Sequence, residues 1–369
     1  MTNIRRALQA AAAGGGEVEL YAWGNGGDGR LGLGNTTNYS SPVLVGESTW
    51  SSIDSYSGST IALKTDGTLW MWGDNGSGQL GLGNTTSYSS PKQVGSLTDW
   101  AFISAGGSWS IAIKTDGTMW SWGAGGGGRL GHNNTTSYSS PVQIGSLTTW
   151  AKCQATNDGG RAIKTDGTFW AWGDNYYGQV GDGSTTTRSS PVQIGALTTW
   201  ATVGGIYNHT LAIKTDGTLW AWGNNGAGKL GLGNTTNYSS PKQVGALTTW
   251  SIAKGGDNMT IAIKTDGTAW SMGQNNHGQL GNSPPYPYAS QSSPVQIGAL
   301  TTWSKIECGI EHTIAVRTDG TAWAWGDGRT YGQLGINKTG YYTSPRQIGA
   351  LTNWATPGAG SEQGFAITL

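Results

Sequence analysis

The side chains able to do chemistry are few and widely spaced. Four histidines, His132, His209, His277 and His312, fall at different points of the chain, and no pair of them has zinc-ligand spacing. Asp74, Asp174 and Asp327 each follow a Trp-Gly or Trp-Gly-like pair. As calcium ligands they would need several more oxygens converging on them. Asn25, Ala124, Asn224 and Gln274 hold the same place elsewhere, so the acids read as Asx-turn residues, a role Asn fills equally well. Residues 24–29 (GNGGDG) and 123–128 (GAGGGG) match G-x-G-x-x-G. Neither opens a helical pattern, so the helix N-terminus that would hold a pyrophosphate is missing, and these are turn glycines. Cys153 and Cys308 are too few for a disulfide framework and read as two free buried thiols. There is no Ser nucleophile elbow and no His-Glu helix motif. The expectation is a non-enzyme with no catalytic residue, metal or cofactor.

What positions these residues is a repeat. Trp-Gly recurs at Trp23, Trp72, Trp122, Trp172, Trp222 and Trp325, with Met272-Gly273 in the remaining place. The steps are fifty residues except for one of 49 and one of 53, which makes seven copies. A second tryptophan marks each copy at Trp50, Trp100, Trp150, Trp200, Trp250, Trp303 and Trp354. In one copy, TIALKT and TLWMW flank Asp66-Gly67, and Asp-Gly between β-rich runs is a hairpin signal. A third strand fits around Trp100 and a fourth, shorter one begins at Pro91. The strands are apolar on both faces, Trp70 and Trp72 on one and Leu69 and Met71 on the other. A sheet buried on both sides needs a neighbour on each side, and seven sheets around an axis supply that. The fold class expected is therefore all-β: a seven-bladed propeller of four-stranded blades over residues 17–369. Ala62 and its six counterparts suit the crowding near the axis. The chain ends GFAITL, matching TIALKT, and after the leader begins EVELYAWG, matching GTLWMWG. One blade should therefore be stitched from both termini, closing the ring without a free edge.

These repeats, G-x-x-H-T-x-A followed by D-G-x-x-W-x-W-G-x-N-x-x-G-Q-L-G, resemble those of the regulator of chromosome condensation family, which implies the same propeller. The family's histidine survives only as His209 and His312, with Ser59, Trp109, Gly160 and Met259 standing in elsewhere. The family's best-known member exchanges nucleotide on a small GTPase and binds chromatin. Those activities resemble properties of particular loops and a basic tail, whereas this chain has 21 basic and 21 acidic residues and only Arg5 and Arg6 in its leader. A neutral chain lacks the footprint of a nucleic-acid binder, and no apolar run is long enough to suggest membrane insertion.

The feature most suggestive of binding is a recurring NTTSYSSP loop. Tyr39, Tyr88, Tyr138 and Tyr238 share one position in it, Arg188 replaces them once, and the last two copies carry Tyr286, Tyr288, Tyr341 and Tyr342. Tyr among Ser, Thr and Asn suits adaptable recognition; the competing reading is that each ring packs on its neighbouring blade. Asn35, Asn84, Asn134 and Asn234 open sequons and, with no signal peptide ahead of them, read as turn residues. The leader, residues 1–16, carries Ile4, Arg5, Arg6 and Leu8 before three glycines. It resembles the openings of virion proteins from marine bacteriophages. That implies a tail, fibre or head-surface component, anchored to other virion proteins by its N-terminus and presenting its loops to a host surface glycan or neighbouring protein. The alternative is a cytoplasmic protein-protein scaffold or exchange factor. An enzyme on this fold would need a polar cluster at the axis, and none is legible.

Overall fold

The computed structural model describes residues 18–46, 49–282 and 289–369. Each blade grows from its Asp-Gly hairpin. Gly67 has φ +82°, and a Cβ there would stand 2.1 Å from the Thr98 carbonyl oxygen, so only glycine fits. Asp66 closes the turn by accepting from the Thr68 amide (2.9 Å) and hydroxyl (2.6 Å). Those bonds hold its carboxyl below the usual range. The Thr68 hydroxyl in turn accepts from Trp70 Nε1 at 2.8 Å.

Trp50–Tyr56, Ser59–Lys64, Leu69–Gly73 and Tyr88–Gln93 pair antiparallel in that order, and the described residues form seven such four-stranded sheets. The first strand of each blade touches the first strand of the next, so these strands ring the axis. Leu69 and Met71 pack toward Trp100 and Trp122 of the following blade. Trp72 packs on the other side with Leu20, Leu31 and Val45 and donates from Nε1 to the Arg30 carbonyl at 3.0 Å. Every blade is buried on both faces, as the sequence predicts.

Two details differ. The outermost strand begins at Tyr88, not Pro91: Gly73 pairs with Tyr88 and Met71 with Lys92, so Pro91 sits in a bulge where no amide is required. Ala62 lies on the second strand, between Ile53 and Trp70, one strand out from the axis.

Closure is as expected. Leu20–Gly24 pairs with Gln363–Thr368, from Leu20 opposite Ile367 to Gly24 opposite Gln363. These two strands, with Tyr39–Leu44 and Trp354–Ala359, make the composite blade. Because Ser59, Gly73 and Tyr88 lie side by side at one strand end, residues 57–58 and the long loop 74–87 emerge on one face, called upper here. The Asp-Gly hairpins and the loop around Leu97 emerge on the lower face.

Candidate functional site: the axis and the upper face

Superposing the repeats by their strand register separates what every blade needs from what one blade has. The Trp50 position is tryptophan seven times and the Ala62 position alanine seven times. The fifth residue of the innermost strand, by contrast, is Asp54, Ser104, Gln154, Gly204, Lys254, Glu307 and Gly358 in turn, each facing the equivalent of Ile61 on the second strand. These side chains form a belt around the axis. Ser104 Oγ and the Ala105 amide donate to Asp54 Oδ2 at 2.8 and 3.0 Å, and Gln154 Nε2 donates to Ser104 Oγ at 3.0 Å. Lys254 Nζ meets Glu307 Oε1 at 2.6 Å, with the two side chains 27% and 30% exposed although the ring encircles them. Exposure inside a closed ring marks water-sized space along the axis. Burial raises the Asp54 and Glu307 carboxyls. Burial also works against the Lys254 ammonium, but Glu307 and Asp54 outweigh it and raise its pKa. An axial polar cluster therefore exists. It escapes the sequence because no member of it recurs.

The upper mouth is closed by an apolar cluster. Tyr56 from the Trp50 blade is 4% exposed and packs with Ile206 and Tyr207 from the Trp200 blade, three places around the ring. Burial raises the Tyr56 hydroxyl. Around this plug the hairpin tips carry Asp158, Asp257, Glu311 and Glu362. Arg129 bridges to Asp158 at 2.9 Å, and Lys229 donates to the Asp257 carbonyl at 3.0 Å and to Asn258 Oδ1 at 2.9 Å. Burial pulls the Lys229 ammonium down to about 8. These cations alternate with glutamines. Where the turn residue is Asp74 or Asp174, the residue five on is Gln79 or Gln179, which donates to that carboxylate at 2.7 or 2.8 Å. Where it is Asn25, Ala124 or Asn224, the residue five on is Arg30, Arg129 or Lys229, which reaches the next blade. Asp74 Oδ1 also accepts from the Gly76 amide at 3.0 Å, the Asx-turn contact.

The loop tips of this face are aromatic in some blades and small in others. The same loop tip reads Tyr176-Tyr177 in one blade, with Tyr176 73% exposed, and Gly76-Ser77 or Gly126-Gly127 in others. Further around, His277 stacks on Tyr341 (4.7 Å between centroids, 6° between planes), and the Arg329 guanidinium lies 4.0 Å from the Tyr341 ring centroid. His277 Nδ1 meets Glu311 Oε2 at 2.7 Å, and Arg329 grips Asp327 through Nε (3.2 Å) and a second nitrogen (3.1 Å). His277, Glu311 and Asp327 have ligand atoms within 4.8 Å of one another and are a metal-capable set by residue type. Each carboxylate already has a cationic or hydrogen-bonding partner.

The other histidines do not converge. His132 meets Ser121 Oγ at 3.0 Å, while His209 and His312 are buried on second strands. Register also corrects one assignment: Gly159, not Gly160, faces Gly173 as His209 faces Gly223, so Gly159 holds the histidine position. Cys153 and Cys308 are free and buried, and burial raises both thiols.

The predicted tyrosines occupy the outer rim. Tyr39, Tyr88, Tyr138 and Tyr238 open the outermost strands and are half-buried rather than free in loops. Asn35 Nδ2 donates to the Tyr39 hydroxyl at 3.2 Å, and its Oδ1 accepts from the Thr37 amide, a turn contact repeated at Asn84, Asn134 and Asn234. Tyr39 lines an inter-blade groove of about 420 Å³ with Trp70, Lys64, Ser90 and Pro91. The next groove around, about 410 Å³, has Leu82, Lys114 and Trp120. Lys64 Nζ sits 3.9 Å from the Trp70 ring centroid. Tyr341 is 37% exposed, and Tyr342 is half-buried beside Tyr21 and Ile336. Tyr286 and Tyr288 lie outside the described residues, as do Ile4, Arg5, Arg6 and Leu8 of the leader.

The chain belongs to the regulator of chromosome condensation (RCC1) repeat family, whose repeat matches residues 19–61, 66–113, 116–157, 166–213, 216–263 and 266–316. A second form of that repeat matches residues 50–79, 251–279 and 303–333. The fold is similar to human WBSCR16 (TM-score 0.85, 19% identity, 96% of this chain and 99% of that one). It is likewise similar to Prp20p from Saccharomyces cerevisiae, described with its binding to Gsp1p and histones (TM-score 0.85, 20% identity, 96% and 92%). Yeast RCC1 (Prp20) bound to Kap60 also matches (TM-score 0.83, 21% identity, 96% and 89%).

Proposed function

We propose that this chain is a non-catalytic recognition propeller that binds a protein partner through the aromatic tips of its upper face. The observation that carries the reading is the placement of variation. Blades that repeat the Trp50 and Ala62 positions without change differ at the axis and at the upper tips, which carry Tyr176, Tyr177, Tyr207, His277, Arg329 and Tyr341. Exposed tyrosine and arginine held by stacking or ion pairs are the residue types that dominate protein interfaces. Gsp1p, histones and Kap60, named with the yeast relatives, are proteins, which supports the partner class and no particular partner. Hydrogen exchange of the chain alone and with a captured partner tests this. Protection should centre on residues 174–178, 205–208 and 327–341, and protection confined to the outer strands would sink it.

A finer reading places the chain in a bacteriophage particle, held through Ile4, Arg5, Arg6 and Leu8 and offering its rim to a host glycan. The leader sequence supports the first part. The grooves support the second, since Tyr39 and Trp70 with Ser and Asn supply ring faces and hydrogen bonds, and several such grooves would give avidity. A leader-deleted chain that still enters its particle would refute the anchor, and Trp70→Ala with unchanged host attachment would refute the grooves.

A further inference from the structure

The innermost strands also open on the lower face, and that mouth is built differently. Two residues before the belt, the register brings Ser52, Phe102, Lys152, Thr202, Ile252, Lys305 and Thr356 into one half-buried ring. Lys152 Nζ donates to the Ala201 carbonyl and Lys305 Nζ to the Ala355 carbonyl, each on the next blade. An ammonium has three N–H groups. Among the described residues neither lysine has a carboxylate in ion-pair range; the axial pair is Lys254 with Glu307. Burial pulls both lysines below their ordinary range. Two partly desolvated cations without counter-charge therefore face the same mouth. The belt above them is matched by its own bonds, and Gly204 and Gly358 leave two of its seven places without a side chain. The far end is shut by Tyr56, Ile206 and Tyr207.

The surroundings point to a polypeptide rather than a small anion. Phe102 and Ile252 give the mouth apolar wall and Thr202 and Thr356 give it hydroxyls. Elsewhere on the lower face, six leucines at one repeat position, from Leu97 to Leu351, are 43–48% exposed, and Leu97 lines the inter-blade groove with Trp120.

We propose that the lower mouth of the axial channel receives an acidic peptide segment of a partner, its carboxylates held by Lys152 and Lys305 and its apolar residues lying against Phe102 and Ile252. This site is independent of the upper-face reading. The test uses the full chain and a fluorescent peptide, Gly-Leu-Asp-Glu-Glu-Leu with a free C-terminus, against an amidated Gly-Leu-Asn-Gln-Gln-Leu control. The acidic peptide should bind, more weakly at higher salt, and the Lys152→Met/Lys305→Met chain should lose roughly tenfold or more in affinity. Lys152→Arg/Lys305→Arg should restore most of it, and Tyr176→Ala should leave it unchanged. A circular-dichroism melt checks that each variant folds. Equal binding of the neutral peptide, unaltered affinity in the double Met variant, or binding of succinate without the peptide would each overturn the assignment.

Discussion

His312 offers a stability test with a calculable size. Its ring is 1% exposed, and Nε2 has no hydrogen-bond partner among the described residues. Burial holds the imidazole down at about 4, below its ordinary 6.5. The folded pKa lies below the unfolded one, so the contribution of neutral His312 is complete above about 6.5 and is lost as pH falls toward 4. Between pH 7.5 and 5.0 the unfolded imidazole gains its proton and the folded one does not. With about 1.4 kcal/mol per pH unit over the roughly 1.5 units in play, the loss is about 2 kcal/mol. Met259 holds the equivalent position in the preceding blade, so His312→Met removes the titration with a side chain the fold already accepts. Asp54, Asp257 and Glu307, raised by burial, act with the opposite sign, favouring the fold at low pH and losing that contribution as pH rises. They are common to both chains and cancel in the difference. Urea unfolding at the two pH values should show the parent losing about 2 kcal/mol more than His312→Met. Equal losses would show that the ring is protonated in the fold and that the burial argument fails.

Three further outcomes follow from the same geometry. Deleting residues 364–369 removes the strand that joins Leu20–Gly24 to Trp354–Ala359, so a cooperative melt should be lost; an unchanged melting temperature would contradict ring closure. Gly67→Ala meets the Thr98 carbonyl, while Gly95→Ala at φ +63° meets nothing within 4 Å. The first should cost roughly 2–4 kcal/mol and the second about 1, and equal melting temperatures would refute the steric account. Lys254→Met leaves Glu307 and Asp54 without their cation and should destabilise by roughly 2–3 kcal/mol at pH 7.5. The penalty should shrink as pH falls, because burial already raises both carboxyls toward their neutral form; a pH-independent penalty would mean the belt is not coupled.

The blades were legible because their physics is repeated. Apolar residues on both faces, Asp-Gly at each hairpin and GFAITL against EVELYAWG specify sheet, turn and closure before any coordinate is known. The functional candidates were illegible for the complementary reason. Asp54, Lys254 and Glu307 meet only because the ring brings blades together, and in the sequence each looks like an irregularity in a repeat. Subtracting the repeat is the signal that exposes them. His277 and Glu311 are 34 residues apart on neighbouring blades, a closeness that spacing along the chain does not encode. The rim tyrosines stood out because they recur, and recurrence is what packing between like blades produces. The slip between Gly159 and Gly160 came from adjacent glycines, which carry no side chain to fix the register.

The central claim is that recognition resides where the blades differ. Its most direct test is a variant whose upper tips are returned to the repeat: Tyr176→Gly, Tyr177→Ser, His277→Ser, Arg329→Gly and Tyr341→Ser together. Partners captured by this variant from the source-cell lysate are compared by quantitative mass spectrometry with those of the parent and of a rim variant carrying Tyr39→Ala, Tyr88→Ala and Tyr138→Ala, after melts confirm all three fold. Proteins captured by the parent and the rim variant but lost from the repeat-faced variant are the predicted result. The same proteins retained by the repeat-faced variant and lost from the rim variant would contradict the account.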